Sequence, residues 1–165
     1  YYASRGLGDV YKRQNKYSLN NELSKEEKNI ALVASGDPTF FGISEYIRKN
    51  YLGNIEVIPG ISSFQYLTTR LNKSWSTAFT GSVHGRNENF IEHIKENRLS
   101  IWLTDNKNNS TYLCRLLNES NINCKVIIGE YLSYENERIL EGKPVEFINT
   151  NFSDMAILIV ENEDK

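Results

Sequence analysis

An α/β fold is expected from three observations. From Ile30 onward, short apolar runs suited to strands alternate with segments of helical period, instead of gathering in separate blocks. Two strand, turn and helix units follow one another between Ile30 and Phe64, each with a glycine in its turn. A clear apolar run, Met155 to Val160, reads as a strand that is central in its sheet or antiparallel to its neighbours.

The first unit sets Ile30 to Ala34 as a strand, Ser35-Gly36-Asp37-Pro38 as a tight turn, and Thr39 to Lys49 as a helix. Pro38 stands where the first helical residue belongs and Asp37 where a cap belongs. Phe41, Ile43, Tyr46, Ile47 and Tyr51 keep the helical period, and Gly53-Asn54 stops it. The second unit repeats the pattern with Ile55 to Ile58, the turn Pro59-Gly60-Ile61-Ser62-Ser63, and a helix from about Ser63 to Leu71 that turns Phe64, Leu67, Thr68 and Leu71 inward. Ser62 and Gln65 have the spacing of a capping box. Two parallel strands that empty into glycine-bearing loops make a crevice at the carboxyl end of an open α/β sheet, where such sheets bind ligands.

Beyond Lys73 to Ser76 the pattern changes, which divides the chain into an expected N-terminal α/β domain at 15–75 and a C-terminal one at 76–165. Ala78 to Val83 is a modest strand, His84 to Asn87 a loop, and Glu88 to Arg98 a helix burying Phe90, Ile91 and Ile94. Leu99 to Thr104 is a strand, and Ser110 to Ser120 is a helix packed through Tyr112, Leu113, Leu116 and Leu117. Lys125 to Ile128 is a strand opening into Gly129 to Ser133, and Glu141 to Pro144 is a turn between two lesser segments. Residues 1–14 show neither helical nor strand period. They read as a foreign-looking or disordered start, so Gly6-Leu7-Gly8, with no strand before it, is not a nucleotide loop.

Composition narrows the function. A 165-residue chain that is 39% hydrophobic can bury a real core. A net charge of −2 with scattered basic residues argues against nucleic acid, though a local basic pocket for a small anion is compatible with it. No apolar run has membrane-spanning length and no leader is recognised, so a cytoplasmic protein without a membrane partner is expected. Cys114 and Cys124 lack zinc-site spacing and read as buried thiols; no metal site is expected.

Asp37 has two readings that are compatible: a cap, and a carboxylate at the crevice within reach of a ligand's hydroxyl or ammonium groups. Gly36, Gly42 and Gly60 serve tight turns or close approach to a ligand. Neither loop carries Gly-Xaa-Gly-Xaa-Xaa-Gly or a Lys-Ser or Lys-Thr pair, so a nucleoside without a phosphate chain fits better than a nucleotide. His84 and Arg86 flank Gly85 in a polar loop, where histidine suits proton transfer and arginine suits a carboxylate. His93, on a charged helix, is assigned no role.

The succession Ser35-Gly36-Asp37-Pro38-Thr39-Phe40-Phe41-Gly42, Ile58-Pro59-Gly60-Ile61-Ser62-Ser63, His84-Gly85-Arg86, Leu103-Thr104-Asp105, Gly129-Glu130-Tyr131-Leu132-Ser133 and Asn136-Glu137-Arg138 resembles the tetrapyrrole methylase family. Within it, the likeness is nearest to members that methylate carbon 5 of a precorrin, precorrin-6Y or cobalt-precorrin-7, in cobalamin biosynthesis. The resemblance implies S-adenosylmethionine, bound in a cleft between two α/β domains. By resemblance, Gly36, Asp37 and Phe40 would line the donor site from the first loop, and Ser63 and Phe64 from the second. Leu103 and Thr104, Tyr131 and Leu132, and Met155 and Ala156 would complete it, although core packing alone also explains those three pairs. His84 and Arg86 would serve the tetrapyrrole, with Arg70 a second candidate for its carboxylates. The resemblance also implies a homodimer, and a partner subunit or fused domain for C-15 methylation and decarboxylation. Members begin with a strand and a Gly-Xaa-Gly-Pro-Gly loop that is not found here, so an N-terminally truncated chain is expected. A sibling methyltransferase on the same fold and a noncatalytic nucleoside-binding fragment are the competing readings.

Overall fold

A computed structural model describes residues 31–83, 89–154 and 156–165. The chain divides into two units between Ser62 and Ser63.

In the first unit the expected strands do not form at residues 31–34 or 55–58. A strand exists through its ladder to a neighbour, and neither run has one among the described residues. Ile55 and Val57 stay more than one-third exposed and Ile58 is 79% exposed, so no covered face organises them. The helix also starts later than its period predicts, as α1 (Ser44–Asn50). The residues before it wind into a turn instead. Phe40 N–H donates to the Asp37 carbonyl at 3.1 Å, Ser44 N–H to the Pro38 carbonyl at 3.1 Å, and Phe41 is left-handed at φ 48°. Gly42 makes this winding feasible, because a Cβ there would sit 2.4 Å from the Pro38 carbonyl oxygen. Ile47 alone is buried in α1, so Phe41 and Ile43 do not face inward as their spacing suggests.

The second unit opens with α2 (Ser63–Arg70), close to its expected span and buried through Phe64, Leu67 and Thr68. Then come β1 (Phe79–Ser82), α3 (Phe90–Glu96), β2 (Leu99–Leu103), α4 (Ser110–Glu119), β3 (Cys124–Glu130), β4 (Arg138–Gly142), α5 (Pro144–Phe147) and β5 (Ala156–Asn162). The five strands form one sheet in the order β1, β2, β5, β3, β4. β1 and β2 are parallel, whereas β5 is inserted antiparallel between β2 and β3. The last strand is thus both central and antiparallel. Ala156 to Val160 are all buried because both faces of this strand are covered.

Side-chain alternation divides the core. Trp102, Val126, Ile128, Leu158 and Val160 share a buried cluster with Phe90 and Ile94 of α3, Leu113, Cys114 and Leu117 of α4, and Phe147 of α5. Ile101, Ile127 and Ile159 alternate with them and are also buried. Leu67 of α2 approaches that second face, its methyls 3.0 Å from where a Cβ on Gly129 would sit. In α4 the buried positions are Ser110, Leu113, Cys114 and Leu117, while Tyr112 is 43% exposed. Asn109 caps this helix by accepting the Tyr112 N–H at 2.9 Å, and packing on the sheet leaves Tyr112 outward, contrary to expectation, and Cys114 inward. His93 stacks on Phe79 at 4.1 Å between ring centroids.

Both cysteines are free and buried. Burial, helped by the neighbouring Cys124 thiol, pushes Cys114 up to about 12. Burial likewise pushes Cys124 up to about 11, with Lys143 pulling the other way and Glu163 and Asp164 adding to the rise. Thiolate is the reactive form, so native protein at pH 8 should alkylate with iodoacetamide at about one-tenth or less of the unfolded chain's rate. Mass spectrometry reads this directly, and equal rates would contradict the buried placement.

Candidate functional site

Two glycine-bearing turns meet within the first unit. Gly36 is left-handed at φ 64°, and a Cβ on it would lie 3.0 Å from Ser62 Cα. A Cβ on Gly60 would lie 2.8 Å from the Gly36 carbonyl oxygen. The Asp37 N–H donates to Ser62 Oγ at 3.2 Å, which ties the turns together. The two loops are therefore adjacent, as expected, although strands do not deliver them.

Asp37 caps a turn and not a helix. Its Oδ1 accepts from Thr39 N–H at 2.8 Å and Thr39 Oγ1 at 2.6 Å, the geometry of an Asx turn. The Thr39 hydroxyl first, and its N–H second, hold the carboxyl below its ordinary value against a small opposing effect of burial. It is therefore anionic at neutral pH and half-exposed. Phe40 is half-buried, edge to face with Phe41 at 4.8 Å.

In the second unit, β-sheet register brings most of the remaining residues to one end of the sheet. Leu103 ends β2 opposite Ile157, and Thr104 continues past it. The Thr104 hydroxyl accepts the Ala156 N–H at 3.0 Å and donates to the Ala156 carbonyl at 2.9 Å. Ala156 in turn pairs with Glu130, the last residue of β3, and Tyr131 and Leu132 follow directly. Tyr131 is left-handed at φ 50° and 45% exposed, presenting an aromatic ring to solvent. Leu103, Thr104, Ala156, Tyr131 and Leu132 thus belong to one rim, formed where β2 and β3 end and β5 begins. Ser63 is exposed at the start of α2, whereas Phe64 is buried against Trp75 at 5.1 Å, edge to face. His84, Arg86 and Met155 lie outside the described residues. Arg70 pairs with Glu137, Nη2 to Oε1 at 3.4 Å.

Sequence reasoning gave no role to the carboxylates that hold this rim. Glu130 is 4% exposed; it accepts Arg138 Nε at 2.6 Å through Oε1 and Ser153 N–H at 2.6 Å through Oε2. Arg138 Nη2 donates to the Asn151 carbonyl at 2.8 Å, and its guanidinium lies 5.2 Å from the centre of the Phe152 ring. Glu130 and Arg138 stand directly opposite on β3 and β4, a cross-strand pairing that only the hairpin register reveals. Among the described residues, no group of acidic, histidine or cysteine side chains is arranged to hold a metal ion, and no helix is long and apolar enough to cross a membrane.

The sequence that folds into this mixed sheet matches a known family over most of its length. The model of the tetrapyrrole (corrin/porphyrin) methylases matches residues 2–146. The chain belongs to the tetrapyrrole methylase family, whose members are methyltransferases. Among curated relatives, the probable cobalt-precorrin-7 C(5)-methyltransferase of Methanocaldococcus jannaschii is 32% identical over 155 residues, covering 89% of this chain and 71% of its own. The cobalt-precorrin-7 C(5)-methyltransferase of Salmonella typhimurium is 31% identical over 140 residues, covering 84% and 69%. Among solved structures, the precorrin-6Y methylase of Archaeoglobus fulgidus superposes with a TM-score of 0.57 at 28% identity; the match covers 78% of this chain and 60% of that one. A diphthine synthase superposes with a TM-score of 0.71 at 14% identity, a likeness of fold alone.

Proposed function

We propose that the whole protein transfers a methyl group from S-adenosylmethionine to carbon 5 of a precorrin, cobalt-precorrin-7 or precorrin-6Y, in cobalamin biosynthesis. The likeness that carries this reading is the 31–32% identity to C(5)-methyltransferases over 84–89% of the chain. The donor supplies an electrophilic methyl on a sulfonium, which leaves as a neutral thioether while the attacking carbon later sheds a proton.

The chain's own residues suit such a ligand. On the first unit, Gly36 brings backbone close, Asp37 offers an ionised carboxylate for hydroxyl or ammonium groups, and Phe40 an apolar ring. On the second, the half-buried Leu103 and Leu132 and the exposed Tyr131 give an apolar seat for a planar base, beside the backbone of Thr104 and Ala156. We assign Ser63, Phe64 and Met155 to the same donor and His84 and Arg86 to the tetrapyrrole. Alignment of donor and acceptor is the main task, and can supply about 7–11 kcal/mol of the barrier. The reading includes a cytoplasmic homodimer, and a partner subunit or fused domain for C-15 methylation and decarboxylation.

The test is calorimetry with S-adenosylhomocysteine, followed by transfer of labelled methyl to cobalt-precorrin-7. Saturable binding and a product methylated at carbon 5 are expected. Turnover of a neighbouring precorrin alone would reassign the substrate, and binding with no transfer to any precorrin would overturn the enzyme. Asp37→Asn keeps the acceptor for Thr39 and should leave the melting temperature unchanged while weakening donor binding about tenfold, the scale of one charged hydrogen bond. An unchanged affinity would remove Asp37 from the site.

A further inference from the structure

The loop at residues 131–136 holds an unusual conformation, and one carboxylate accounts for it. Tyr131 and Ser133 are both left-handed, at φ 50° and 69°, although neither is glycine. Such residues persist only where their surroundings over-determine them, and they gather at ligand sites. The turn closes on itself, with Tyr134 N–H to the Tyr131 carbonyl at 2.9 Å and Glu137 N–H to the Tyr134 carbonyl at 3.1 Å. Glu137 then reaches back across the loop, and its Oε2 accepts Ser133 N–H at 2.7 Å. The same carboxylate is held from α2. Arg70 Nη2 lies 3.4 Å from Oε1, and the Tyr66 hydroxyl hydrogen-bonds to the Glu137 carboxylate. Its side chain is 16% exposed, so these bonds are partly shielded from water. Burial raises the Glu137 carboxyl, but Ser133, Tyr66 and Arg70 outweigh it and leave the group below its ordinary value, hence ionised.

We propose that Glu137 is a positioning residue for donor binding, latching the Tyr131 loop to α2 so that Tyr131 and Leu132 are presented in one fixed conformation. The inference rests on the assignment of Tyr131 and Leu132 to the donor. Glu137 itself touches no reacting atom. It acts by selecting a backbone conformation that Tyr131 and Ser133 would otherwise leave, and a ligand then binds without first having to order the loop. Leu67 packing against Gly129 keeps α2 close to the end of β3, so the latch spans a short, already supported gap.

The test uses the full chain, with S-adenosylhomocysteine as the probe in calorimetry and hydrogen exchange at the Ser133 amide as the report on the loop. Glu137→Ala should raise Kd about tenfold or more and speed Ser133 exchange. Glu137→Gln, which keeps an acceptor for Ser133, should recover most of the affinity. Lys73→Met, which breaks the separate ion pair to Glu161, should leave Kd unchanged even if it lowers the melting temperature. If Glu137→Ala fails to fold, Tyr66→Phe decides: it should raise Kd by about threefold, the lower end for one lost hydrogen bond. Faster Ser133 exchange with wild-type affinity would overturn the positioning role while leaving the donor assignment standing. Absence of saturable binding by the unaltered chain would instead overturn the donor assignment, and this inference with it.

Discussion

Trp102→Ala should cost about 3–5 kcal/mol, the usual range for emptying a fully buried large aromatic site. Trp102 has no exposed surface and is packed against Phe79 and Phe90, with ring centroids at 5.3 and 4.9 Å. Its indole N–H donates to Ser100 Oγ at 2.9 Å, so the truncation also orphans a buried hydroxyl. The site cannot collapse easily, because the neighbouring strand is already flush with the ring: a Cβ on Gly81, its cross-strand partner, would stand 2.4 Å from it. Urea denaturation followed by circular dichroism measures the loss. A change below about 1 kcal/mol would mean that the β1 edge is not packed as described.

Arg138→Ala comes next, at about 2–4 kcal/mol, because it leaves the Glu130 carboxylate buried with Ser153 N–H as its remaining partner in this network. The figure is set below the full range for a buried pair because the Arg138 side chain is 43% exposed and water can partly replace it. Pairing the change with Glu130→Gln should cost less than the sum of the single substitutions, with a coupling above about 1 kcal/mol in a double-mutant cycle. Strict additivity would show that the pair contributes nothing as a pair. The consequence for function is local. Glu130 and Arg138 together pin residues 151–153, the approach to β5, so the double cycle also reports how firmly the Ala156 end of the rim is held.

How far the sequence could be read depended on whether a signal was local. In the second unit α2, β1, α3, β2, α4, β3 and β5 were legible, because burial on a sheet leaves a period of two or an apolar run and a packed helix leaves a period near 3.6; the turn expected at Glu141 to Pro144 instead holds the end of β4 and the start of α5, both too short to leave a period. The apolar run at Met155 to Val160 announced a strand central in its sheet or antiparallel to its neighbours, and β5 is both. The same rules failed in the first unit. Residues 31–34 and 55–58 have strand composition but no ladder, and Phe41 and Ile43 keep helical spacing in a segment that Asp37 and Gly42 wind into a turn. Composition states what a segment would gain from being covered, and cannot state whether a cover is there.

The sequence by itself determined the α/β class, the family through its ordered motifs, the inward thiols, and the meeting of the Gly36 and Gly60 turns. Only the tertiary structure decided how the rim is built. Register set Glu130 opposite Arg138 and beside Ala156, and the return of α2 to the sheet set Tyr66 and Arg70 against Glu137. Those relations join residues through strand pairing and hydrogen-bond geometry, across eight residues for Glu130 and Arg138 and far more for the others, and such geometry leaves no period and no local motif to read.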